Sequence, residues 1–277
     1  MRKKIILIPT ILISCLLAGY FYWVFSMKNT TAPKKLPAEV TPSVITLNET
    51  PTVKDTLPAE SNIQTEQQTE KTAANKSAPM LKILQPVPFL VQAPFGNWKE
   101  PDYQNACEEA VMIMAMGWAK GEKTISPAEA QKRILAIIAF ENKTFGYSAD
   151  TNAFDMEKVF QQYFKYKNIL VKEAVTLAEI KAEIQAGKLV IVPAFGRALK
   201  NPNFTAPGPI AHMLVIIGYD PTTKEFITND PGTRKGAGYR YDETLLFEAI
   251  WAYPSGKEIP PVPKSGEMQK VILSVSN

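Results

Sequence analysis

Residues 105–119 read NACEEAVMIMAMGWA, and beyond the two glutamates no charged or amide side chain occurs before Lys120. A helix lying on a core carries one apolar stripe, whereas a helix apolar all the way round lies inside it. Asn105 followed three residues later by Glu108 has the form of a capping box, and Gly121 closes the run. The spacing therefore predicts a buried central helix reaching about Ala119, with Asn105 as its cap and Cys107 as its second residue.

On either side the patterns alternate in a way that sets the fold class. KILQPVPFLVQ (82–92) reads as an edge strand interrupted by prolines. The start signal recurs at Ser126-Pro127-Ala128-Glu129, predicting a helix through Phe140, and at Thr176-Leu177-Ala178-Glu179, predicting one that stops at Gly187. FDMEKVFQQYF (154–164) repeats apolar residues at helical spacing between them. Then the period changes. KLVIVPA (188–194), AHMLVIIGY (211–219), KEFITN (224–229) and QKVILSVS (269–276) are short β-branched runs between turns, with a short helix expected from Asp242 to Trp251. Helices followed by an antiparallel sheet predict one α+β domain over residues 81–277.

The N-terminal part belongs to a different class. Arg2, Lys3 and Lys4 precede an uncharged apolar run from Ile5 to Phe25, whose roughly 21 residues would reach about 30 Å as a helix, the thickness of a bilayer's hydrocarbon core. Residues 1–26 are thus expected to be a membrane anchor or signal segment, with the N-terminus inside and the rest extracytoplasmic by the positive-inside rule. A lipoprotein signal ending at Cys15 and a cleaved, secreted form are the competing readings. Residues 27–80 hold six prolines and many Thr, Ser, Gln and Asn, too little apolar surface to offset ordering entropy, and are expected to be a disordered stalk.

Charge and cysteine content then exclude several functions for the globular part. The whole chain carries a formal +4, but removing the N-terminus and stalk leaves 22 basic and 21 acidic residues from position 81 onward. That near-balance gives no reason to expect nucleic acid as a partner. The chain has two cysteines, Cys15 and Cys107, so the domain forms no internal disulfide. One Cys and the chain's one His, His212, fall short of a zinc ligand set. No metal and no cofactor are expected, and the domain is expected to be monomeric.

What remains is a thiol and an imidazole. Singly, each is an ordinary structural residue: a Cys on a buried helix is commonly inert, and a His opening a core strand is commonly a satisfied hydrogen-bonding group. Together they fit nucleophilic catalysis. A helix N-terminus stabilises a thiolate, and the thiol's base has to be His212. Glu108 and Glu109 oppose ionisation, and the sequence leaves that balance open. A third group should orient the imidazole. In the hairpin IGYDPTTKEFITNDP (217–231), a three-residue loop puts Asp230 on the face of His212, and a two-residue loop puts Asn229 there.

VPFLVQ (87–92), ACEEAV (106–111), HMLVIIGYD (212–220) and NDPG (229–232) together resemble the papain-like cysteine peptidases related to bacteriocin-processing, double-glycine leader peptidases, and especially their stand-alone C39-like relatives. The resemblance covers most of residues 85–252. It implies a papain-like fold with a central buried helix packed on an antiparallel sheet. It also implies Cys107 as nucleophile, His212 as base, Asp230 as the orienting acid and Gln92 as oxyanion donor. The long segment between Gln92 and Cys107 makes Gln104 a rival donor, and CEEA is similar to the stand-alone relatives rather than to transporter-fused ones. The implied function is hydrolysis of a peptide or amide bond in a peptide or protein substrate through a thioester. A transpeptidase or acyltransferase using the same site is one rival, and a non-catalytic surface binding module is the other.

Overall fold

The computed structural model describes residues 80–256, 260–264 and 266–277. The expected anchor and, apart from Met80, the expected stalk lie outside the described residues. Among the described residues no helix is long and apolar enough to cross a membrane.

In chain order the elements are β1 (Ile83–Leu84), α1 (Pro101–Gln104), α2 (Cys107–Ala119), α3 (Pro127–Phe145), α4 (Ala153–Gln162), β2 (Ile169–Glu173), α5 (Leu177–Gln185), β3 (Leu189–Phe195), a 3-10 turn (Gly196–Leu199), β4 (Ala211–Asp220), β5 (Glu225–Asn229), β6 (Tyr239–Asp242), α6 (Glu243–Ala249) and β7 (Val271–Val275). The strands form one sheet in the order β2-β7-β3-β4-β5-β6, with β1 also paired to β4, and every pairing is antiparallel. The fold is α+β, as the sequence predicts.

Helix α2 is buried from Cys107 to Trp118 and packs on β4 and α3. The sheet has a core on each face. Met213, Val215 and Ile217 of β4 join α2, α3 and α4 on one side, while Leu214 and Ile216 join α5 and α6 on the other. Being covered on both faces explains why AHMLVIIGY is a continuous apolar run rather than an alternating one. Full burial of an aliphatic or Met side chain is worth roughly 1.5–3 kcal/mol, so a 13-residue helix with almost no exposed surface fixes the position of its first residue firmly.

The local signals held unevenly. Ser126 accepts from the Glu129 N–H, and Thr176 with Glu179 forms the full capping box. The box expected at Asn105 does not form. Ala106 is the cap residue, no side chain caps α2, and Cys107 is its first residue rather than its second. Glu108, which the box would have used, turns inward to Tyr253 and Cys107. Helix α3 runs on to Phe145, past Phe140, and α6 is shorter than the expected span.

The β4–β5 hairpin departs from both registers considered. Asp220 pairs with Glu225, so the loop has the four residues Pro221–Lys224. Between Gly218 and Ile216 the register slips, leaving Ile217 as an extra residue on β4. Without that bulge, alternation would place Asn229 on the face of His212. With it, Val215 pairs with Asn229, and Asp230 takes the face of His212. Gly218 sits at the bulge because β1 passes close by: a Cβ there would lie 2.2 Å from the Ile83 carbonyl oxygen.

Candidate active site

His212 and Asp230 meet at the sheet end that follows from this register. His212 Nε2 donates to Asp230 Oδ1 at 2.8 Å, and both side chains are buried. The orientation of the ring follows from the partner: a carboxylate accepts, so Nε2 carries a proton toward Asp230 and Nδ1 is the nitrogen not engaged by it. Phe204 stands edge-on to the imidazole, 5.1 Å between ring centroids. Gly232 leaves room for the ring, since a Cβ there would come within 2.8 Å of His212 Cε1.

Asp230 has every acceptor position used. Oδ1 also accepts from the Gly232 N–H at 3.0 Å, and Oδ2 accepts from Tyr241 Oη at 2.6 Å and Asn201 Nδ2 at 3.3 Å. Burial works to raise this carboxyl, but the His212 charge and the bonds from His212, Tyr241 and Gly232 outweigh it and hold it below its ordinary value. It is an ionised anchor for the imidazole. Asn229, the alternative third member, points elsewhere: its Oδ1 accepts from the Gly238 N–H and its Nδ2 donates to the Val87 carbonyl. Tyr241 and Asn201 escaped the sequence reading because only the pairing of β5 with β6 and the turn after β3 bring them to Asp230.

Cys107, His212 and Gln92 line one cleft of 890 Å³. The thiol nevertheless donates to Glu108 Oε2 at 3.0 Å rather than to the imidazole. Burial pushes the Cys107 thiol well above its ordinary value, and the Glu108 charge and hydrogen bond add to that. The balance that the sequence left open falls to the acids. The position at the helix N-terminus does not leave this thiol ionised in the resting arrangement.

Glu108 is one of four buried acids behind the nucleophile. Its Oε1 accepts from Tyr253 Oη. Burial raises its carboxyl, against the bonds from Cys107 and Tyr253. Burial, then the neighbouring Glu141, raises Glu109 well above its usual range. Burial pushes Glu141 up to about 8, and burial with the Glu108 charge pushes Asp150 up to about 8. As ionised acceptors, both oxygens of Glu109 and of Glu141 and one of Asp150 would find no donor, whereas a proton on one of Glu109 and Glu141 lets the two carboxyls bond each other. Carboxylates packed together in such a place cannot all be ionised, so this cluster carries protons at neutral pH. Among the described residues no such group is arranged to hold a metal ion.

Gln92 reaches the cleft, with its amide nitrogen committed. Nε2 donates to the carbonyls of Tyr103 at 2.9 Å and Gln104 at 3.0 Å, bracing α1 just before Cys107, while Oε1 is buried without a partner. Its backbone N–H donates to the Pro231 carbonyl at 3.1 Å, tying this loop to the one that follows Asp230. Gln104, the rival, is exposed, and its Nε2 donates to the Lys99 carbonyl at 3.2 Å.

The sequence profile of the Peptidase_C39 like family matches residues 84–258, well over half of the chain. Among solved structures, a crystal structure described as a C39-like peptidase from Bacillus anthracis aligns over 71% of this chain and 98% of its own at 17% identity, with a TM-score of 0.41. A search of curated proteins finds no match.

Proposed function

The chain belongs to the C39-like peptidase family, and from that premise we propose that it is a cysteine peptidase hydrolysing a peptide or amide bond through Cys107, His212 and Asp230. The observation that carries the reading is the buried His212–Asp230 pair at 2.8 Å, sharing one cleft with the domain's single thiol. The paired Nε2 leaves Nδ1 as the nitrogen available to the thiol.

The chemistry then runs in ordinary steps. Substrate entry turns Sγ from Glu108 toward the imidazole, and Nδ1 takes the thiol proton. The thiolate attacks the carbonyl carbon. The oxyanion faces the Cys107 N–H, which as the first of a helix has no intrahelical partner, and the Gln92 amide once it exchanges the Gln104 carbonyl for the oxyanion. Nδ1–H then protonates the leaving amine as the C–N bond breaks, giving a thioester. Water, losing its proton to Nδ1, attacks the thioester and releases the acid and the thiol.

The test is labelling of the full-length chain with a peptide-derived electrophile, followed by peptide mapping. Cys107 should label in the wild type, and His212→Ala should slow it by at least 10-fold; equal labelling would remove His212 as the base. We propose further that residues 1–26 tether the domain outside a bacterial membrane. Protease added to intact cells should then release a fragment cut within residues 27–80, and recovery of the intact chain from the cytoplasm would refute the tether.

A further inference from the structure

The cleft walls beside Cys107 and His212 are charged in one sense. Lys99 lies in the loop before α1, and Arg234 and Lys235 lie in the loop after Asp230; the lining contains no Asp or Glu. Some of the fold's cations are ion-paired, Lys82 and Arg240 with Asp220, Arg133 with Glu122 and Glu129, Lys172 and Lys188 with Glu183, Lys181 with Glu243, while others, such as Lys120, Lys165 and Lys200, are exposed on the surface. Among the described residues, Lys99, Arg234 and Lys235 make no ion pair. What distinguishes these three from the other exposed lysines and arginines is their place, since all three gather on the walls of one cleft whose lining holds no acid.

Arg234 has a seat prepared for it. A Cβ at Gly96 would lie 1.9 Å from Arg234 Nη2, so the guanidinium rests against the bare Cα of the loop that follows Gln92. Gly96 also has φ +79°, a backbone conformation that strains any other side chain, so glycine there keeps the place open for the guanidinium. Arg234 thereby spans from the His–Asp loop to the Gln92 loop. The Asp230 N–H bonds the Gly236 carbonyl at 3.0 Å, closing the intervening loop on itself and fixing the cations relative to His212. Trp98 adds an apolar face on the same wall.

A second, smaller pocket of 320 Å³ also opens at Cys107, and its lining holds no Lys or Arg. Asp150 lines it, 5% exposed, with Oδ2 unpartnered. The nucleophile therefore stands between a cationic wall and a buried acid. A bound carboxylate is attracted to the first and meets no cation in the second, and the substrate's direction across Cys107 follows from that difference.

We propose that the site is built for acidic peptides, a substrate carboxylate within a few residues of the scissile bond being held by Arg234, Lys99 and Lys235. The inference rests on the peptidase reading, and its test separates the two. Internally quenched peptides differing only in Glu, Gln or Lys at each position around the scissile bond are offered to the full-length chain. Glu should be preferred over Lys by at least 10-fold in kcat/KM on one side of the bond, the preference shrinking as salt screens it. Arg234→Gln with Lys99→Gln should reduce it to less than threefold. Equal turnover of Glu and Lys peptides, or a preference that survives both substitutions, overturns the proposal. If no peptide is cut, the same peptides are titrated against Cys107→Ala by fluorescence anisotropy. Tighter binding of the Glu peptide, lost in the Arg234→Gln variant, keeps the acidic-ligand site while the peptidase reading falls. Equal binding overturns the site as well.

Discussion

Glu108→Gln is the substitution that most directly tests how the nucleophile is held. It is isosteric, it removes a charge whose oxygen lies 3.0 Å from Cys107 Sγ, and its carbonyl can still accept from Tyr253. Two unit charges about 4 Å apart at an effective dielectric of about 20 repel by about 4 kcal/mol, which sets a ceiling of roughly 10³-fold on the gain in thiolate. Burial raises Glu108 itself, so part of that repulsion is already absent at neutral pH. The expected result is iodoacetamide alkylation at pH 7 roughly 10- to 100-fold faster than wild type, with wild type slower than a free-cysteine peptide. The rate is read at Cys107 by peptide mapping in a Cys15→Ala background, because Cys15 is the chain's other thiol. A Glu108→Gln chain that is folded and alkylates no faster than wild type would refute the claim that this carboxylate keeps the thiol protonated.

Asp230→Ala should lower kcat/KM far more than Asn229→Ala, with Asp230→Asn between them, because only Asp230 touches the imidazole; the reverse order would break the triad at its third member. Gln92→Ala should cost roughly 10²-fold in turnover, the scale of one oxyanion donor, and a larger loss in Gln104→Ala would transfer that role. Stability should fall as pH rises: Glu141 is raised from 4.5 to about 8, so the folded state binds the extra proton. Its contribution is complete below about pH 4.5 and is lost on passing through about 8, at up to about 1.4 kcal/mol per pH unit. Glu141→Gln should flatten that stretch of a urea-midpoint profile, and an unchanged slope would show that Glu141 does not hold the proton.

The parts of this molecule that were legible in sequence are those decided by neighbours in sequence. An all-apolar helix can only be buried, so α2 and its end were readable, as were β3, β4 and β7, which are covered on both faces. Strand β2 was missed because it is half-exposed, without the continuous apolar run of the central strands, and the four-residue β6 was missed for its length. The cap at Asn105 was misread because Glu108 is claimed by Tyr253, 145 residues later. No local pattern encodes that competition. Asp230 could be separated from Asn229 only by resemblance, since hairpin parity depends on the bulge at Ile217. That bulge adjoins Gly218, which β1 crowds from more than 130 residues earlier in the chain.

Four acids are buried behind a thiol that the proposed mechanism uses as an anion. Native interiors leave few polar groups unpaired, and among the described residues the buried side-chain atoms without a donor or acceptor when the acids are ionised belong to Gln92, Asn97, Glu109, Glu141, Asp150 and Thr151. Gln92 lies on the cleft wall, Asp150 on the second pocket at Cys107, and Glu109 on the first turn of α2. The buried acids of the sheet and its second core, by contrast, are satisfied: Glu183 is held by Lys172, Lys188 and Ser274, and Asp220 by Lys82 and Arg240. Unpaired carboxyls cost stability wherever they ionise, so their concentration around one thiol is not a packing solution. It does what the Cys107–Glu108 bond does locally, keeping the surroundings proton-rich and the nucleophile a thiol. In the proposed mechanism a substrate that displaces water and lets Sγ turn to the imidazole would release it, and the cationic wall would hold an acidic substrate in place to do so.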